Sequence, residues 1–293
     1  MSLVTIQAGA PTGPEACRAL EQGDILFWSE IPFDTPEQDI MWLRGVEQAN
    51  TRVHKNISYR PATHAIRGAG SAPAAAKARL ARIMERFSAS AAEFLGGFLG
   101  PYQGKWTLDY ASFRPIEEAG RDLPLHKRNE LLHVDAFPTR PVHGGRILRF
   151  FLNINAEEER VWRIGGRFRV LAAERAEAAG LKKAANGSVR RKVTGLLNQL
   201  GLPVPDRSAY DEFMLRFHDS LKEDKDYQAS TEKTLVKFPP MTAWAVYTDG
   251  VPHSVLSGRL ALEQTFIVPF SALVAPKESP LHILEELAEA PLV

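Results

Sequence analysis

The sequence contains one cysteine, Cys17, among 293 residues. That excludes an intramolecular disulfide and any zinc or iron–sulfur site built on cysteines. No charge of one sign dominates: 36 Lys and Arg face 35 Asp and Glu, for a net charge of +1. A general nucleic-acid binder carries a basic excess, so no nucleic-acid partner is expected, and an anionic ligand must be met by a local cluster. Long hydrophobic runs are missing as well. The stretch from Ile147 to Leu152 is interrupted by Arg149, and nothing approaches the roughly 18 apolar residues of a membrane span. Residues 1–14 lack the basic and apolar stretches of a signal peptide, which sets the expectation of a cytoplasmic protein. No Walker sequence occurs, and Gly68-Ala-Gly-Ser71 lacks the spacing of a dinucleotide fingerprint.

What is present is an ordinary globular composition, 44% hydrophobic and 24% charged, at a length near the upper limit for one core. Residues 3–70 read as irregular and turn-rich, with one short apolar run at 24–28. Over 72–98, Leu80, Ile83, Met84, Phe87, Ala91 and Phe94 recur at helical spacing and predict an amphipathic helix or helix pair, stopped by Gly96, Gly97 and Gly100-Pro101. Residues 146–155 and 161–164 read as strands. Helices are expected at 171–186, 189–200 and 208–222, the last capped by Ser208 with Asp211 three residues on. Strands return at 234–238, 242–247 and 260–268. This order predicts an α+β fold with an antiparallel β-core rather than alternating βαβ units. One domain spanning 1–293 is expected: a mostly helical or irregular N-terminal part (1–105), a β-core (106–170 and 234–270) and a helical insert (171–233).

Of eight histidines, one stands in a His-x-Asp arrangement, His133-Val-Asp135. On an extended backbone residues i and i+2 point the same way, so this imidazole and carboxylate reach one cation. The tripeptide alone is common. A third ligand is offered by His253, about 120 residues later and between two expected strands. Two His and one Asp form the facial triad of non-haem Fe(II) oxygenases, with positions left open for co-substrate and O2. Such an enzyme using 2-oxoglutarate needs a cation for the distal carboxylate. Arg149 is the first candidate: on its strand the odd positions Arg149, Phe151 and Asn153 share a face. Arg259 is an alternative, as is Gln264 with Thr265. In many such enzymes the cation lies roughly ten residues past the distal His, where this chain has Gln264.

The runs Ser112-Phe-Arg-Pro115, Leu125-His-Lys-Arg-Asn129, Leu132-His-Val-Asp-Ala-Phe-Pro138, Gly144-Gly-Arg-Ile-Leu-Arg149, Asn153-Ile-Asn155 and Val161-Trp-Arg163 occur in that order. They are followed by His218-Asp-Ser-Leu-Lys222, Val251-Pro-His-Ser-Val-Leu-Ser-Gly258 and Leu262-Glu-Gln-Thr-Phe266. Together, over 106–269, they resemble the bacterial 3-deoxy-D-manno-octulosonic acid (Kdo) hydroxylases. The resemblance implies a double-stranded β-helix (a jelly-roll, cupin-like core) and dependence on Fe(II), 2-oxoglutarate and O2, with ascorbate as an accessory reductant. It implies hydroxylation at carbon 3 of a Kdo sugar on a lipid A precursor, with His133, Asp135 and His253 as iron ligands. Transient contact with the cytoplasmic membrane face follows from a lipid-linked substrate. The oligomeric state, monomer or homo-oligomer, is left open.

Kdo carries a carboxylate, and guanidinium groups bind carboxylates bidentately. The candidate substrate contacts near the His-x-Asp are Arg114, Lys127, Arg128, Arg140, Arg146 and Arg163, with Arg128 and Arg140 preferred; surface charge is the default alternative for each, and two or three of the six are expected to touch substrate. Trp162 and Trp244 read as core or pocket lining. Two other functions compete: a 2-oxoglutarate oxygenase acting on an amino acid or protein side chain, and a non-catalytic cupin-like metal-binding protein.

Overall fold

The structure, a computed structural model, describes residues 2–6, 12–46, 56–186 and 206–293. The helix expected at 189–200 lies outside the described residues. Among the described residues there are eleven strands: β1 (Leu3–Ile6), β2 (Ile25–Trp28), β3 (Ile57–Arg60), β4 (Ala65–Arg67), β5 (Thr107–Arg114), β6 (Arg146–Asn153), β7 (Arg160–Ile164), β8 (Thr234–Phe238), β9 (Thr242–Tyr247), β10 (His253–Ser257) and β11 (Ala261–Val268). Eight form one sheet in the order β1-β2-β9-β6-β11-β5-β3-β4, and three form a second in the order β10-β7-β8. Pairing is antiparallel throughout except between β1 and β2.

β6 is buried along nearly its whole length because both faces of the large sheet are covered. Leu148, Phe150 and Leu152 point into the cluster under three helices: α1 (Gly13–Glu21), α2 (Glu37–Arg44) and α3 (Ala74–Phe98). Phe151 points the other way, into the core between the two sheets, with Trp162, Phe238 and Trp244. Within that core Trp244 stacks on Phe238 at 3.9 Å and on Phe151 at 5.0 Å. A second helical group comprises α4 (Phe168–Arg175), α5 (Leu181–Asn186), α6 (Ala209–Glu223), α7 (Lys225–Ser230) and α8 (Pro280–Ala288). The capping box expected at α6 is formed: the Ser208 hydroxyl accepts from Asp211 N and the Asp211 carboxylate from Ser208 N.

Two local expectations are corrected. Residues 3–70 contribute four strands, which extend both edges of the large sheet; at three or four residues each they are too short for a period of two to show. α3 runs through Gly96 and Gly97 to Phe98. Burial of Ala91, Leu95 and Leu99 offsets the helix cost of about 1 kcal/mol per glycine.

Candidate metal centre

His133 and Asp135 lie on an extended segment between the second sheet and the insert. Leu132 and Val134 are buried among Phe168, Leu171, Phe213 and Phe217 of the insert. Alternation then turns His133 and Asp135 to the opposite side. The segment is tied by backbone hydrogen bonds: His133 N donates to His253 O (3.0 Å), His253 N to His133 O (2.9 Å) and Asp135 N to Thr248 O (2.8 Å). The distal histidine is thereby held directly against the first. Its loop is anchored in turn by a buried ion pair, Arg146 Nε to Asp249 at 2.7 Å, with the guanidinium 4.1 Å over the Tyr247 ring. A Cβ at Gly250 would fall 2.6 Å from an Arg146 nitrogen, so any larger residue there displaces the guanidinium paired with Asp249.

The imidazoles are presented alike. His133 Nδ1–H donates to Leu131 O (2.7 Å), and His253 Nδ1–H to Val251 O (2.8 Å), which leaves each Nε2 as a free donor atom for a metal. Their ring centroids are 4.8 Å apart, and Trp162 stacks on His253 at 5.2 Å. His133 Nε2 lies 3.7 Å from Asp135 Oδ1. A third imidazole joins them: His218, on α6, is 4.9 Å from the His133 ring, and its Nδ1–H donates to Val134 O (2.8 Å). Donor atoms of His133, Asp135 and His218 lie within 4.8 Å of one another. Burial lowers the His133, His253 and His218 pKa values, keeping the rings neutral. Burial alone would raise the Asp135 carboxyl, but Arg149, His253 and His133 outweigh it and hold it well below the ordinary carboxylate range. Neutral imidazoles beside an ionised carboxylate are the donor set that suits Fe(II).

Behind the donors lies a chain of buried charges. Arg149 reaches Asp135 Oδ2 at 2.9 Å and Glu263 at 2.7 Å. Glu263 also accepts from Arg114 at 2.6 Å, and Arg114 and Arg160 both contact Glu118, at 3.3 and 3.5 Å. β11 sets this order by register. Thr265 stands opposite Arg149 and Glu263 opposite Phe151, both on the inter-sheet face, whereas Gln264 stands opposite Phe150 and faces the helices.

A cavity of about 560 Å³ opens onto His133 and Asp135. Arg114, Lys127, Arg149, His218 and Lys222 all line it. A second cavity of about 410 Å³, between α2 and α3, holds none of these groups. Several expected contacts lie elsewhere. Asn153 shares the Arg149 face but sits at the far end of β6, where its amide nitrogen donates to Glu158 O and Phe238 O, each at 3.0 Å. Gln264 is buried on the helix side and donates to Asp109 O at 3.2 Å. Arg259 is exposed and 3.3 Å from Glu158. Arg163 points outward on β7, alternating with buried Trp162 and Ile164. Arg128 pairs with Glu130 at 2.6 Å and does not line the cavity. Arg140 pairs with Asp109 at 2.9 Å, stacks over Tyr110 and Phe137, and lines a small cleft that shares Asp135 and Phe137. Sequence reasoning missed His218, Lys222 and Glu263 as site residues. Their signals are an i, i+4 polar pair on an amphipathic helix and an acidic residue inside a buried strand.

A search of curated proteins returns no match. Residues 6–291 match the family described as 3-deoxy-D-manno-oct-2-ulosonic acid (Kdo) hydroxylase. Among solved structures, the chain resembles the Kdo hydroxylase KdoO, a non-heme Fe(II) alpha-ketoglutarate-dependent dioxygenase, in complex with alpha-ketoglutarate and Fe(III). Identity is 31%, the TM-score is 0.83, and 100% of this chain and 98% of that one are covered. The apo structure of KdoO gives 32% and 0.84 over 100% and 98% of the two chains. Its complex with cobalt(II) gives 32% and 0.82 over 99% and 97%. On the match over nearly its whole length, the chain belongs to the Kdo hydroxylase family.

Proposed function

We propose that this chain is an Fe(II)- and 2-oxoglutarate-dependent dioxygenase that hydroxylates carbon 3 of Kdo in a lipid A-linked lipopolysaccharide precursor. The observation that carries the reading is the convergence of neutral imidazoles and one ionised carboxylate on a cavity lined by Arg114, Arg149, Lys127 and Lys222. The two sheets, facing each other across the Trp162–Trp244 core, are read as a double-stranded β-helix, and residues 1–293 as one oxygenase domain. His133, Asp135 and His253 would hold the iron. His253 is favoured over His218 as third ligand because paired backbone hydrogen bonds hold its main chain against that of His133, while its Nδ1–H bond and the Trp162 stack set its ring. When bound, iron with 2-oxoglutarate and O2 supplies the oxidising power to hydroxylate an unactivated C–H bond.

The protein's own contribution is positioning and charge. Nδ1–H bonds orient both imidazoles, Arg149 keeps Asp135 ionised, and the Trp162 stack fixes the His253 ring. Arg149 is read as the cation for the distal carboxylate of 2-oxoglutarate, since its buried Nε has no hydrogen-bond partner. Among the described residues no helix is long and apolar enough to cross a membrane, and the reading places the protein peripherally on the cytoplasmic membrane face. The test is succinate formation from 2-oxoglutarate with Fe(II), with and without Kdo-bearing lipid A precursor, alongside mass spectrometry of the lipid. A gain of one oxygen that His133→Ala, Asp135→Ala and His253→Ala each abolish is expected. Unchanged lipid mass with the wild-type enzyme, or a fully active His253→Ala, would sink the reading.

A further inference from the structure

Between Asn56 and Met84 the chain carries Arg60, Arg67, Lys77, Arg79 and Arg82 and no Asp or Glu. In a protein of net charge +1 this is a local basic excess, and the same stretch supplies one wall of the cavity of about 410 Å³ between α2 and α3. The lining is apolar: Trp42 and Val46 come from α2 and its end, Ile57 from β3, Ala76 and Leu80 from α3. Met41 also lines it and is 63% exposed. Alanines at 69, 72 and 76 leave space that larger side chains would fill. Lys77 is the one charged lining residue among the described residues, and its side chain is exposed. Next to it, the Arg79 guanidinium stacks 4.9 Å over the Trp42 ring. Asp39 of α2 and Glu85 of α3 are already paired, with Arg86 at 2.6 Å and His64 at 2.8 Å.

An apolar slot with a cationic edge is complementary to an anionic amphiphile, alkyl chain inside and phosphate at the lysine. Its volume falls in the range of about 300–1,000 Å³ usual for small-molecule sites. Its position links it to the metal centre. Ile57 lines this cavity, and Asn56, the residue before it, lines the catalytic one. Neighbouring Cα atoms are about 3.8 Å apart, so the two cavities share a wall where β3 begins. A lipid-linked sugar held in one cavity has an apolar site for its chains beside it.

We propose that the cavity between α2 and α3 binds an acyl chain of the lipid-linked substrate, with Lys77 pairing with a lipid phosphate. The proposal rests on the lipid A-linked reading above and assigns the anchor of that substrate a site distinct from the sugar's. A bilayer phospholipid and a second copy of this chain are the occupants that the experiment separates from it.

The full chain is titrated calorimetrically with octyl, decyl and dodecyl phosphate below their micelle concentrations, and with dodecyl maltoside as the uncharged control. One dodecyl phosphate per chain is expected, with affinity rising about fourfold per methylene, the effect of burying one. Dodecyl maltoside should bind about tenfold more weakly, for want of the charge-assisted contact. Ala76→Trp fills the cavity and should cut dodecyl phosphate affinity about 100-fold, the loss of three to four buried methylenes. Lys77→Glu, at an exposed side chain that packing does not depend on, should cut it about tenfold. With iron-loaded enzyme, Ala76→Trp should raise KM for lipid-linked Kdo about tenfold or more with kcat within about twofold, as loss of uniform binding does. Several alkyl phosphates per chain, indifferent to both substitutions, would overturn the proposal. So would Ala76→Trp that releases the protein from phosphatidylglycerol vesicles yet keeps the wild-type KM, since the cavity would then serve the bilayer. A wild-type dimer in sedimentation velocity that Ala76→Trp dissociates would assign the cavity to a second copy and overturn it too. If the wild type binds one dodecyl phosphate in the cavity but never oxidises the Kdo lipid, the sugar reading falls and the lipid site stands. If Ala76→Trp hydroxylates the Kdo lipid with the wild-type KM, the lipid site falls and the sugar reading stands.

Discussion

Glu263 is the residue whose removal tests the buried charge chain most directly. It is 2% exposed and divides its two oxygens between Arg149 (2.7 Å) and Arg114 (2.6 Å). Glu263→Gln preserves the shape but withdraws the charge, and its amide turns a donor toward one guanidinium. Breaking a buried pair by removing one partner costs about 3–5 kcal/mol, because the partner stays buried and uncompensated. Each arginine keeps a second carboxylate, Asp135 for Arg149 and Glu118 for Arg114, which places the loss at the low end, about 3 kcal/mol. At about 2–4 °C per kcal/mol for a large domain, the melting temperature falls by roughly 6–12 °C. Urea unfolding of the metal-free protein at neutral pH, followed by tryptophan fluorescence, measures the loss. The effect also has a defined pH dependence. Burial alone would raise the Glu263 carboxyl, but Arg149 and Arg114 bring it below its ordinary value of 4.5. A carboxyl depressed in the folded state adds stability that is complete above the unfolded value and lost as pH falls through the folded one. The difference between wild type and Glu263→Gln should therefore narrow steadily below about pH 4.5. A variant within 1 kcal/mol of wild type at pH 7 would refute the reasoning.

Gly250→Ala drives a Cβ to 2.6 Å from the Arg146 guanidinium and should cost about 1–3 kcal/mol of unfolding free energy, with weaker Co(II) binding because the loop leads directly into His253 at the start of β10. Unaltered stability and metal affinity would show that the loop is not held by that contact. Ser208→Ala removes half of the α6 capping box and should cost about 1 kcal/mol in thermal unfolding while leaving Co(II) stoichiometry at wild-type level. Cys17 is buried, and desolvation pushes its thiol up to about 12. It should resist a disulfide reagent at pH 8 in the native state and react once urea unfolds the chain; rapid labelling of the folded protein would contradict the packing of α1.

Much of the site was legible because it depends on local periodicity. The i, i+2 spacing of His133 and Asp135 places both on one side of an extended segment whatever lies around it. Alternation in β6 likewise assigned Arg149 to the face opposite Leu148 and Phe150, as the packing bears out. Periodicity identifies a face, however, and not a height along the strand. Asn153 shares the Arg149 face yet lies four residues further on, about 13 Å away at the usual rise, and ends in a turn. Gln264 shows the reverse case: it is at the right height but on the wrong face, a distinction set by its register against Phe150.

Charge was the least legible property. From the sequence, the arginines near the His-x-Asp, Arg128 and Arg140 above all, looked free to meet an anion. The structure pairs Arg114 with Glu263, Arg140 with Asp109 and Arg128 with Glu130, leaving Lys222, on an amphipathic helix far along the chain, as the buried cation without a carboxylate partner among the described residues. The sequence alone singled out the His-x-Asp as a candidate ligand pair and determined the antiparallel α+β character, since these follow from residue type and from periods of two and 3.6. Tertiary structure decided which cations are neutralised, which imidazole beyond His133 approaches the carboxylate, and which wall of the cavity α6 supplies. Those outcomes depend on distances between residues brought together from across the chain, and no local pattern encodes them.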